Sequence, residues 1–253
     1  LHQDVHSFPT RRSSDLPGKG LPAIPWRPFL AKAAPLGMAG LAQQGYFYID
    51  NLFVRPIAGE TELGYYNASV RLLSFAIMIA QYASLSAMPW FTREHEEARL
   101  GQAVSRLGQP LFFCAALGAG LVIPHSAAVL GLIFKPEFNA AGSSLAWLLG
   151  AMAVIYFGAL HLTALVSTGH TKTVSAITLL ALGINVVGNA LLVPRLGIEG
   201  AAIATVATET VVAITAAIAL ARMGVLTLAV RPLRWAAAPA AFAIAFYLSS
   251  LAT

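Results

Sequence analysis

Three ionisable side chains stand inside or at the edge of long apolar runs: Asp50, Arg71 and Glu209. A charge near the middle of a bilayer costs a few kcal/mol or more, so such residues face a bundle interior or a wet cavity and pair with one another. Asp50 and Arg71 fall toward the same end of two adjacent runs and are placed to meet as an ion pair. That pair would either lock two helices together or hold Arg71 as an anion contact in a cavity, with Asp50 setting its position. Glu209 lies in ATVATETVVAITA with Thr205, Thr208 and Thr210 close by. It would serve either as a proton or cation coupling site or as a neutral acid bonded to a neighbouring helix.

A second set is polar without charge: Gln43, Gln44, Gln81, His161, Asn185 and Asn189. Asn185 and Asn189 are one helical turn apart and share a face, with Gly188 beside them. Polar and small residues on one helix face act as interhelical glue or as a substrate contact. His161 reads as a hydrogen-bonded packing histidine or a proton relay. The chain contains no HExxH, no CxxC pair, no GxxxxGK[ST] loop and no GxSxG elbow. No catalytic residue, metal or cofactor is expected, and none of the connections is long enough to hold a catalytic domain.

The elements that must position these groups follow from composition. Of 253 residues, 57% are hydrophobic and 11% charged, with a mean hydropathy of +0.70. Soluble domains carry about a quarter charged residues, so the surface of a water-soluble body of this size could not be covered. A cytosolic enzyme, a disordered chain and a disulfide-stapled secreted domain are excluded, and a multi-pass membrane protein remains. The single cysteine, Cys114, permits no intrachain disulfide.

A bilayer core about 30 Å thick needs about 20 apolar residues per helix. Charge-free stretches of that order recur: 17 residues between Lys32 and Asp50, 21 between Arg71 and Arg93, 28 between Arg106 and Lys135. Further along, 34 lie between Glu137 and Lys172, 22 between Lys172 and Arg195, and 19 after Arg234. Ile198–Ala221 is interrupted only by Glu199 and Glu209. An all-α transmembrane bundle of about seven spans is expected, near 33–54, 63–89, 109–132, 142–167, 173–193, 198–221 and 235–252. The ten-residue alternating segments of a barrel are absent. Pro56, Pro136 and Pro194, with Gly59, Gly142 and Gly197, punctuate three connections. The longest, Thr92–Gly108, reads as a short helix lying on the membrane surface.

Counted by alternate connections, one side holds nine Lys and Arg (Arg27, Lys32, Arg93, Arg99, Arg106, Lys172, Arg222, Arg231, Arg234) and the other holds three (Arg55, Lys135, Arg195). By the positive-inside rule the start of the first span is cytoplasmic. The net charge of +5 is thus spent on orientation, and no nucleic-acid partner is expected. Residues 1–20 are polar and aperiodic, and Ser7 to Leu16 (SFPTRRSSDL) resembles the translation of a sequencing adapter. They are set aside as an artefactual or disordered segment, leaving 21–253 as a transmembrane lobe.

Two blocks carry a family resemblance. LGYYNASVRL (63–72) is similar to the G-x-Y-x-x-A-x-R-L opening of polysaccharide-repeat flippases, and NALLVPRLGIEGAAIAT (189–205) to their N-x-x-L-I-P-x-x-G-x-x-G-A-A-x-A-T signature. Asp50 and Pro89 also fit. The chain therefore resembles the C-terminal lobe of a two-lobed flippase of the multidrug/oligosaccharidyl-lipid/polysaccharide exporter superfamily. The resemblance implies an intact parent protein that moves a polyprenyl-diphosphate-linked oligosaccharide across the bacterial inner membrane. Its partners would be membrane lipids, an N-terminal lobe of the same protein, and the polymerase and glycosyltransferases of the pathway. Arg71 would contact diphosphate or sugar, Asp50 would position it, and Gln43, Gln44, Gln81 and Asn185 would bond sugar hydroxyls. A multidrug or cation antiporter coupled through Glu209, and a membrane enzyme of polysaccharide assembly, are the alternatives.

Overall fold

Long apolar runs in a chain with so few charges satisfy their backbone polar groups internally only as helices. A computed structural model describes residues 26–96 and 98–225, and these form helices joined by short turns, with no strand among them. The expected artefactual segment at 1–20 and the expected seventh span at 235–252 lie outside the described residues. Helices α1 (Trp26–Ala58) and α2 (Glu60–Glu96) are followed by α3 (Leu100–Val122) and α4 (Ser126–Ile133). A 3-10 turn at Ile123–His125, with Pro124 in it, separates α3 from α4. A second 3-10 turn, Pro136–Ala141, leads into α5 (Gly142–Gly150), α6 (Met152–Ser167) and the 52-residue α7 (Thr171–Arg222).

Taken with their short extensions, four of these rods are long and apolar enough to cross a membrane: Glu60–Glu96, Leu100–Ile133, Pro136–Ser167 and Thr171–Arg222. The outward faces agree with such a setting. Leu41, Leu52, Phe75, Leu85 and Leu132 are all largely exposed, Leu132 to 87%. Side chains like these in water would be a liability, whereas hydrocarbon accepts them.

Helix α7 is two arms rather than one rod. Gly197 has φ 57° and ψ −135°, a backbone state that L side chains rarely adopt, and it folds 171–196 back against 198–222. A Cβ built on Gly188 would lie 3.0 Å from the Ala204 Cβ, so residues sixteen apart in sequence touch across the hairpin. The first arm runs parallel to α1, pairing Gly45 with Leu182 and Asp50 with Asn189, and the second runs antiparallel to it. Small residues make this approach close: Ala39, Ala42, Ala181, Ala201, Ala202 and Ala204 are all buried.

The other turns show how a few residues set the topology. Gly59, at φ 93°, ends α1, and an exposed Arg55–Glu60 ion pair of 2.7 Å straddles it. The expected surface helix at Thr92–Gly108 does not form as a separate element. Its first part extends α2 to Glu96, its second part begins α3 at Leu100, and the chain reverses between them. Glu94 holds that reversal: it accepts from Trp90 Nε1 at 3.0 Å and Arg99 Nε at 2.9 Å, while Ala98 sits at φ 57°.

Candidate functional site

Two pairs of residues one helical turn apart build the centre of the bundle. Tyr46 and Asp50 share a face of α1; Thr205 and Glu209 share a face of the second arm of α7. Because these helices run antiparallel, the pairs meet as two rungs about 6 Å apart. The Tyr46 hydroxyl donates to Glu209 Oε1 at 3.2 Å, and the Thr205 hydroxyl donates to Asp50 Oδ2 at 3.2 Å.

Asp50 is 4% exposed and is held from three elements. Tyr66, on α2, donates its hydroxyl to Oδ2, and Asn189, on the first arm of α7, donates Nδ2 to Oδ1 at 2.7 Å. The same Nδ2 donates to the Asn185 carbonyl at 3.0 Å and its Oδ1 at 3.1 Å. A carboxylate accepts and never donates when ionised, so a ring of hydroxyl and amide donors is the environment that stabilises it away from water.

Beside this cluster opens a cavity of about 480 Å³ between α1, α2, α6 and the second arm of α7. Its wall combines Gln43, Gln44 and Tyr46 from α1 with Ser74, Met78 and Gln81 from α2. Ala159 and Leu162 come from α6, Glu209 and Val212 from α7. Three side-chain amides, two hydroxyls and a carboxylate on an otherwise apolar wall suit a ligand with many hydroxyl groups, since each polar group fixes a direction and the apolar surface takes the ligand's apolar faces. A second, narrow pocket of about 20 Å³ continues inward from it and reaches Asp50, Tyr66 and Thr205, with Tyr46 and Glu209 on the walls of both.

The residues singled out from sequence fall into three places. Gln43, Gln44, Gln81 and Glu209 are brought together on the cavity wall. Asn185 is fully buried, is bonded to Asn189 within the first arm of α7, and lines neither of these two pockets. Arg71 does not meet Asp50. Its side chain is exposed, and the ion pairs among the described residues are Arg55–Glu60 and Arg99–Glu94. The reason is the ring of neutral donors already filling the carboxylate of Asp50. Arg71 instead stands on the face of α2 that carries Ser74, Met78 and Gln81, one turn beyond the cavity wall.

His161 takes the packing role: it is 2% exposed, with Nδ1 2.7 Å from the Phe157 carbonyl and its ring 3.8 Å from that of Phe157. Sequence reasoning passed over Tyr46 and Tyr66, the two phenols that bond Glu209 and Asp50. The signal was present in the spacing, Tyr46 to Asp50 and Thr205 to Glu209, each i to i+4. Among the described residues no group of three or more His, Cys, Asp or Glu gathers where a metal ion could be held. Comparison with protein-family models, with curated proteins and with solved structures gave no match to this chain.

Proposed function

We propose that this chain is one lobe of a membrane transporter that passes a polyprenyl-diphosphate-linked oligosaccharide across the bacterial inner membrane for polysaccharide export. The observation that carries the reading is the amide-lined cavity, which gathers Gln43, Gln44 and Gln81 from two helices with Arg71 one turn past its edge. A glycan cannot cross hydrocarbon unaided, and hydroxyl-matching amides on a wet wall supply what lipid lacks. The diphosphate calls for a fixed cation, and an arginine fork is the side chain best matched to phosphate oxygens. The lipid tail stays among the exposed apolar faces.

In this reading the rods α1, α2, α3 with α4, α5 with α6, and the two arms of α7 are six spans. A seventh is assigned to 235–252, which makes about seven in all. The start of α1 is cytoplasmic by the charge count. A second lobe of the same protein closes the cavity, and rocking of one lobe against the other exposes it to each side in turn. Lipid-linked sugar comes from glycosyltransferases and passes to a polymerase.

Arg71→Ala in the intact parent protein is expected to abolish polymer export at unchanged membrane abundance, and Arg71→Lys to restore only part of it. Export at the normal level in Arg71→Ala cells with equal protein removes Arg71 from the mechanism. The placement of Glu209 on the cavity wall also favours a second reading, an antiporter of the same superfamily coupled through that carboxylate. Resistance to toxic cations that depends on Glu209, with no polysaccharide phenotype, would select it.

A further inference from the structure

The inner pocket lies between the two rungs and touches both carboxylates, the buried Asp50 and the half-buried Glu209. On one rung Tyr46 donates to Glu209; on the other Thr205 donates to Asp50, whose remaining partners are Tyr66 and Asn189. With a volume of about 20 Å³ the pocket has space for one water, which needs about 10–15 Å³ and at least two polar partners. Asp50, Glu209 and three hydroxyls, those of Tyr46, Tyr66 and Thr205, line it. The rest of the wall is apolar: Phe47 from α1, Val70, Leu73 and Ile77 from α2, Leu148 from α5 and Ile155 from α6. No Lys, Arg or His lines it among the described residues.

We propose that Asp50 and Glu209 form a single proton site, linked by one water held in this inner pocket. A proton leaving the Glu209 carboxyl passes to the water oxygen as that water gives one of its own to Asp50. One O–H bond breaks and one forms at each step, and the water is regenerated. In a low-dielectric interior a charge on one carboxylate is felt strongly by another a helical turn away. The two therefore titrate as a unit rather than as separate residues. Tyr46 and Glu209 also wall the large cavity, so the pair exchanges its proton with solvent from that side. The inference concerns the chain's own carboxyls and holds whether or not a glycan passes through the cavity.

Infrared titration of the full chain in lipid nanodiscs tests it without any transport assay. The carboxyl bands are assigned by their loss in Asp50→Asn and Glu209→Gln. Glu209→Gln is expected to move the midpoint of the Asp50 band by about one pH unit or more, a tenfold change in proton affinity. Asp50→Asn is expected to move the Glu209 band by the same amount, because coupling is reciprocal. Exchange into H₂¹⁸O is expected to shift an O–H stretching band of one internal water in the full chain, and that band is expected to change when Glu209→Gln or Asp50→Asn removes one end of the link. Should Asp50→Asn fail to insert, ¹³C labelling of the three aspartates identifies the Asp50 band, and Glu209→Gln still decides the matter. Midpoints that ignore the partner's substitution, or the absence of an internal-water band that responds to either substitution, would overturn the water-linked pair.

Discussion

Asp50→Ala is expected to be the most destabilising single substitution at the centre of the bundle, lowering stability by about 2–4 kcal/mol. Three donors converge on this carboxylate from α2 and both arms of α7. Alanine leaves them unequally provided for. Thr205 keeps its bond to the Ala201 carbonyl at 3.2 Å, and Asn189 keeps its bonds to Asn185. The Tyr66 hydroxyl, on a residue 1% exposed, loses its acceptor. Bonds to charged acceptors are worth about 1.5–3 kcal/mol in soluble proteins, while interhelical bonds in a bilayer average about 0.6 kcal/mol. The expected total lies between three of the weaker kind and two of the stronger.

A double-mutant cycle separates the terms. Tyr66→Phe removes the donor, and Asp50→Ala added to it should cost less than Asp50→Ala alone, with a coupling of about 1 kcal/mol or more. Reversible unfolding in mixed micelles supplies the numbers. A change within about 0.5 kcal/mol for Asp50→Ala, the scale of an ordinary surface substitution, would mean that the cluster holds nothing together.

On the proposed function, Ala159→Trp should reduce polymer export by about tenfold or more, equivalent to a barrier raised by about 1.4 kcal/mol. Ala159 is half-buried on α6, on the wall of the large cavity. An indole there occupies space that a sugar ring would need, yet its apolar body suits the lining formed by Ile155, Leu162 and Val212. Leu132→Trp is the matched control, because that residue is 87% exposed on α4 and does not line the cavity. Export normalised to membrane abundance is the readout. Equal export by Ala159→Trp and Leu132→Trp would show that the cavity is not the route.

The helices were the legible part of this sequence, and the contacts between them were not. Runs such as 72–92 and 138–171 carry so little charge that a rod long enough for a membrane is their natural state. Gly197 was visible as a breaker, and its positive φ makes the hairpin that brings Asn189 and Thr205 to one carboxylate. Helix ends were harder to read. Charge in Thr92–Gly108 suggested a separate element, but charged residues extend a helix readily once it leaves hydrocarbon, so α2 and α3 absorb most of that stretch.

The Asp50–Arg71 pairing failed for a related reason. Opposite charges at similar depth suggest an ion pair, but helix rotation decides who meets whom. The face that carries Arg71 also carries Ser74, Met78 and Gln81, so the guanidinium follows the cavity side of α2 and leaves Asp50 to Tyr66. For the candidate site, the amides of Gln43, Gln44 and Gln81 were legible as polar side chains in an apolar chain, and packing brings them to one cavity wall with Glu209. Only packing could tell them from Asn185, whose amide is equally polar and fully enclosed.

The central claim, that a glycan lies against the amide wall, is tested most directly by site-specific photo-cross-linking in membranes that make the lipid-linked oligosaccharide. A photoreactive residue is placed in turn at Gln43, Gln44 and Gln81, and at Leu132 on the exposed face of α4. Capture of the sugar chain at the three cavity positions and not at Leu132 is the result expected. Equal capture at Leu132, or none at any of the three amide positions while lipid is labelled throughout, would contradict it.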